Sequence, residues 1–194
     1  MKSRVEPSRL PTTVLAAAFL ALAPGSVLGQ DVAFSVGGGW YEPGGEDFDD
    51  TDGGLGYHGS VGLALTESVE LDLGAQWSRH AVDFSTDDYD VVGLYLEPRA
   101  WLGQGGDVRP FVAGRLAWVR QSIAVSEVSR ASNGVAGAGE LGVALGLGPS
   151  VDLEGGVSLG FLSFGDFETD AGTLADTDSS GRAVGLRVGL RVRP

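Results

Sequence analysis

The segment Val69–Trp77 reads V-E-L-D-L-G-A-Q-W, an unbroken alternation of apolar and polar or small residues. Successive side chains of a strand point to opposite faces, so Val69, Leu71, Leu73, Ala75 and Trp77 share one face and Glu70, Asp72, Gly74 and Gln76 the other. A helix scatters both sets around its circumference. The same period recurs along the chain and predicts eight strands, at 31–41, 57–66, 69–82, 91–102, 108–122, 135–147, 151–164 and 182–193. No long segment carries the helical period, and the 32 glycines argue against helices as well.

The predicted connections alternate in kind. Glu67-Ser68, Gly103–Asp107 and the Gly148-Pro149-Ser150 turn are tight. Glu42–Gly56, Asp83–Asp90, Ile123–Gly134 and Gly165–Gly181 read as long loops. Short turns at one end and long loops at the other describe an all-β, eight-stranded antiparallel up-and-down barrel with two unlike rims.

Residues 1–29 have the layout of a cleaved export signal. Lys2, Arg4 and Arg9 precede an apolar run from Val14 to Ala23, too short to span a bilayer as a helix. Gln30–Pro194 is then the barrel domain. Without cysteine, the chain has no disulfide framework, thiol chemistry or lipoprotein anchor residue. Removing the signal lowers Lys plus Arg from 13 to ten and Asp plus Glu from 26 to 25, a net charge of −15. That balance excludes nucleic acid as a partner.

The two strand faces differ in chemistry. One carries Val36, Leu63, Leu73, Leu94, Leu116, Leu141, Leu159, Leu186 and their neighbours, uninterrupted by charge. The other carries many glycines and alanines with six carboxylates, Glu70, Asp72, Glu97, Glu140, Asp152 and Glu154, and four arginines, Arg99, Arg115, Arg187 and Arg191. Soluble surfaces use longer polar side chains, lysine among them. A narrow membrane barrel needs the reverse, a lumen filled by small and mutually satisfied polar residues. The apolar face is therefore expected to meet lipid. A soluble lipocalin-like carrier is the competing architecture. Trp40, Tyr41, Tyr57, Trp77 and Trp118 cluster toward the long-loop rim and are expected to form an interfacial girdle there.

The hairpin Leu94–Arg120, with E-P-R, a glycine turn and then R-P-F-V-A-G, resembles the central hairpin of small bacterial outer-membrane barrels of the OmpA/OmpX type. The resemblance implies short periplasmic turns, long external loops, outer-membrane lipids as surroundings and insertion by the barrel assembly machinery, as a monomer. The chain ends Val192-Arg193-Pro194, whereas such barrels end on an aromatic residue used in assembly. No wall-binding domain follows the barrel, so a wall-anchoring role does not carry over.

Three groups of candidate functional residues follow. The ten inward charges are expected to pair as a lumen plug; a narrow ion or solute channel is the alternative. The acidic loops supply carboxylates for a hard cation such as Ca²⁺, with Asp47, Asp49, Asp50 and Asp52 in loop 1 as ligands. Asp87, Asp88, Asp90, Asp166, Glu168, Asp170, Asp176 and Asp178 enrich the other loops in acid. Ser78 and His80 share the inward face, with Asp83 close in sequence. They form the one arrangement suited to nucleophilic hydrolysis of lipid. His58 faces inward as a plain lumen residue. The expectation is a non-enzymatic membrane barrel without cofactor, acting structurally or through its loops.

Overall fold

A computed structural model describes residues 32–82, 88–103, 106–125, 128–169, 172–175 and 177–194. Eight long strands form the barrel: β1 (Val32–Gly44), β2 (Gly54–Ala64), β3 (Val69–His80), β4 (Tyr89–Trp101), β5 (Val108–Val125), β6 (Val128–Gly146), β7 (Val151–Phe164) and β10 (Ser179–Val192). Two short strands, β8 (Glu168–Thr169) and β9 (Gly172–Thr173), make a small ribbon between β7 and β10. Neighbours run β5-β4-β3-β2-β1-β10-β7-β6, and β5 pairs with β6, so the sheet closes. The seam joins first and last strands antiparallel, from Phe34↔Val192 to Gly44↔Arg182. Closure leaves the eight barrel strands paired on both sides, which hydrocarbon demands.

The period-2 pattern places the side chains as expected. On β3, Leu73 is exposed while Asp72 is 1% exposed. Leu116, Leu141, Leu159 and Leu186 also stand outward and bare. Water would penalise so continuous an apolar band, whereas lipid would not.

Six strands, β1, β2, β4, β5, β6 and β10, reach farther than expected. β2 begins at Gly54 rather than 57, through the pairs Leu55↔Arg79 and Gly56↔Ser78. Gly53, Gly54 and Gly56 look like loop residues, but a Cβ on Gly54 would collide with the Arg79 carbonyl. Glycine here permits close strand approach. β10 begins at Ser179, and β4 at Tyr89. The largest correction concerns Ile123–Gly134, expected as a loop. It continues the β5–β6 ladder through Ile123↔Arg130 to Val125↔Val128. Beyond the lipid level the apolar-against-polar contrast fades into serine, asparagine and alanine, while the hydrogen-bonded ribbon continues.

The tight turns are internally bonded. Leu65 N donates to Val69 O at 2.8 Å, and Thr66 Oγ1 accepts from Val69 N at 3.0 Å. Loop 1 holds a short 3-10 turn, Glu46–Phe48, whose Phe48 is buried in the barrel mouth.

Candidate functional site

The inward side chains form two stacked zones. The zone toward the short turns is ionic. Glu97 stands at its centre: Oε2 accepts from Arg115 Nε at 2.8 Å and Nη2 at 2.6 Å, while Oε1 accepts from Arg187 Nη2 at 2.7 Å and Arg99 Nη2 at 3.3 Å. One carboxylate from β4 thus meets guanidinium groups from β4, β5 and β10. Arg187 Nε also bonds Glu140, at 2.6 and 2.7 Å from its two oxygens. Arg99 Nη1 donates to Glu154 Oε1 at 2.6 Å. Arg191 is fully buried and forks onto Asp72 at 3.0 and 3.2 Å, with Glu70 at 2.7 Å and Ser35 Oγ at 2.9 Å. A Cβ on Gly62 would strike both Asp72 Oδ1 and Arg191 Nη2, so this glycine leaves room for the fork.

Two arginines absent from the sequence expectation complete the zone. Arg109 Nη2 donates to Asp152 Oδ2 at 2.6 Å, and Arg193 bonds the same oxygen. Arg109 shares strand parity with Arg115, and Arg193 with Arg187 and Arg191, so parity alone could have found both. With them, six arginines face six carboxylates in the ionic zone. Aromatic faces line it as well: Arg115 lies 4.0 Å from the Tyr95 ring centre and Arg99 4.2 Å from that of Phe111.

The zone toward the long loops is apolar. Phe48, Val82, Tyr89, Tyr95, Ala117, Val119, Ile123 and Phe164 pack together, with Phe48 and Phe164 ring centres 6.4 Å apart. This apolar mouth departs from the expectation of a lumen filled by small and mutually satisfied polar residues. Phe48, in a loop rich in acid, gave no periodic signal. Tyr89 Oη donates to Gln121 Oε1 at 2.6 Å within the layer. Between the zones lies a cavity of about 110 Å³, whose lining includes Tyr41, Gln76, Ser78, His80 and Arg115.

No protein-family profile matches the chain, and no curated protein does. Solved structures do. Neisserial surface protein A aligns at TM-score 0.65 and 16% identity, over 86% of this chain and 100% of that one. Ail, the attachment invasion locus protein of Yersinia pestis, aligns at 0.56 and 9%, over 86% and 100%. The outer membrane protein OprG from Pseudomonas aeruginosa aligns at 0.54 and 12%, over 85% and 96%. The chain has the fold of the small eight-stranded outer-membrane barrels.

On this barrel the aromatics separate. Trp40, Tyr57 and Trp118 face outward and exposed, and Trp77 stacks on Tyr57 with ring centres 5.8 Å apart and planes 4° off parallel. Tyr41 does not join them. It follows Trp40 directly, so strand parity turns it into the lumen, where its buried hydroxyl lies beside Arg115.

Ser78 and His80 do meet. His80 Nε2 lies 3.0 Å from Ser78 Oγ, and Nδ1 lies 3.2 Å from the Asp52 backbone oxygen. A backbone carbonyl thus holds the position a carboxylate takes in a catalytic triad. The expected acid, Asp83, lies outside the described residues. His58 is buried in the lumen, against Gly37.

The described loop acids do not converge. Among the described residues no group of three or more His, Cys, Asp or Glu side chains is placed to hold a metal ion. Asp49 and Asp50 are exposed, Asp47 accepts from Ser180 N at 2.8 Å, and Asp52 meets His80 through its backbone. The calcium expectation for Asp47, Asp49, Asp50 and Asp52 therefore finds no ligand cluster. Asp87, Asp170 and Asp176 lie outside the described residues.

Proposed function

We propose that this protein is an integral outer-membrane barrel with a closed lumen, which acts through its long-loop rim rather than by conduction or catalysis. The observation that carries this is the ion-pair zone, in which Glu97 alone is bonded to three arginines on three strands. An ion crossing the lumen would have to part charges that are already satisfied. Breaking one such buried pair costs about 3–5 kcal/mol. The apolar mouth around Phe48 is a second barrier, of different chemistry. Residues 1–29 serve as a cleaved export signal, and the barrel works as a monomer among outer-membrane lipids after insertion by the assembly machinery. Two structural neighbours, one named a surface protein and the other an attachment protein, accord with work done at the exposed rim.

The test combines insertion and conductance. The refolded barrel should enter vesicles, show heat-modifiable gel mobility and produce no steady current in a planar bilayer. A stable unitary conductance would overturn closure, and recovery of the native protein in the soluble periplasm would overturn the membrane placement.

The 3.0 Å Ser78–His80 contact favours a second reading, a lipid hydrolase with Ser78 as nucleophile. Phospholipid and lipid A profiles decide it. Unchanged profiles on overexpression of the native protein and of His80→Ala exclude the hydrolase.

A further inference from the structure

The barrel strands carry few outward charges, and the cationic ones all lie at one rim. Arg79 on β3, Arg120 on β5 and Arg182 on β10 are exposed and stand on the outward parity of their strands. Each adjoins an outward aromatic. Arg79 lies 5.4 Å from the Trp77 ring centre, Arg120 is two residues beyond Trp118 on the same face, and Arg182 pairs across strands with Phe161. The outward positions near the short-turn rim are apolar instead, including Leu65, Leu102, Val108, Leu145 and Val192.

The three arginines differ in their partners. Arg79 is held by Asp90 at 2.9 Å and Asp88 at 3.5 Å. For Arg120 and Arg182, no carboxylate among the described residues lies within 4.0 Å. Every arginine of the ionic zone, by contrast, has at least one. Both guanidinium groups adjoin outward aromatic rings, the residue class that gathers at the headgroup level of a membrane. A planar guanidinium fork matches phosphate oxygens bidentately. Strands β5 and β10 are separated by β6 and β7, so the two positions are independent contacts.

We propose that Arg120 and Arg182 bind the phosphate of anionic lipid headgroups in the leaflet at the long-loop rim. This gives a strongly acidic protein a local hold on an anionic leaflet that its loops would otherwise repel. The proposal rests on the membrane placement proposed above.

The test uses the full barrel in phosphatidylcholine vesicles containing spin-labelled phosphatidylglycerol or spin-labelled phosphatidylcholine. Electron paramagnetic resonance then reads the motionally restricted fraction of each probe. The wild type should favour the anionic probe by about fivefold per arginine contact, the effect of a cation near a charged surface. The preference should fall as salt rises. Arg120→Gln combined with Arg182→Gln should bring it close to parity while heat-modifiable mobility is kept. Millimolar inorganic phosphate should leave the wild-type preference in place. Equal selectivity in wild type and double variant, no selectivity in the inserted wild type, or displacement by inorganic phosphate would each overturn the proposal. Failure to insert at all would instead sink the membrane placement.

Discussion

The lumen holds two fillings with opposite logic. In the ionic zone most contacts tie one strand to another by a directional, charge-assisted bond, as Arg187 ties β10 to Glu97 on β4 and to Glu140 on β6. In the apolar mouth a loop residue, Phe48, packs on strand residues such as Phe164 without directional demand. An ionic lumen is intolerant, because removing one member leaves another buried and unpaired. An apolar mouth is forgiving, because neighbours can partly collapse into the space. The first is suited to fixing the geometry of the barrel wall, the second to seating a loop whose sequence is otherwise free.

Several substitutions sharpen that contrast. Glu97→Ala should be the most damaging, since it takes a partner from Arg99, Arg115 and Arg187 at once and leaves Arg115 with no carboxylate among the described residues. A loss of at least about 3–5 kcal/mol is expected in denaturant unfolding of the refolded barrel, with the folded gel band lost at lower temperature. Phe48→Ala should cost about 3 kcal/mol, and protease cleavage should rise in loop 1 before the wall unfolds. Equal losses from these two, with global unfolding in both, would erase the distinction between the zones. Gly62→Ala removes no charge but drives a methyl group into the Asp72–Arg191 fork. Its expected cost is about 1–3 kcal/mol, the usual penalty for overpacking. Arg79→Ala, at an exposed pair with Asp90, should lose only about 0.2–1 kcal/mol, measurable by the same unfolding assay at low salt.

The wall and the lumen charges were readable because a strand has a strict period. Glu70, Asp72, Glu97, Arg99, Arg115, Glu140, Asp152, Glu154, Arg187 and Arg191 all stand on inward parity, and a narrow barrel forces such groups together. The same parity reaches Arg109 and Arg193, and it turns Tyr41 inward. Other features left no periodic trace. Phe48 reaches the mouth through a loop, and a loop conformation has no sequence period. The upper β5–β6 ribbon is written in small polar residues, which do not distinguish a strand from a coil. The contact of His80 with the Asp52 carbonyl joins loop 1 to β3, and only the folded chain brings them together.

The balance of six cations and six anions inside the barrel has one more consequence. The acidic excess of the chain must lie almost wholly outside the ionic zone, in the loops and at the rim. Charges there are screened over about 8 Å at physiological ionic strength. The interior is thus electrically insulated from its own exterior. Loop acids can be gained, lost or exchanged wholesale without retuning the wall, which makes the barrel a chassis on which surface chemistry can drift while the scaffold stays put.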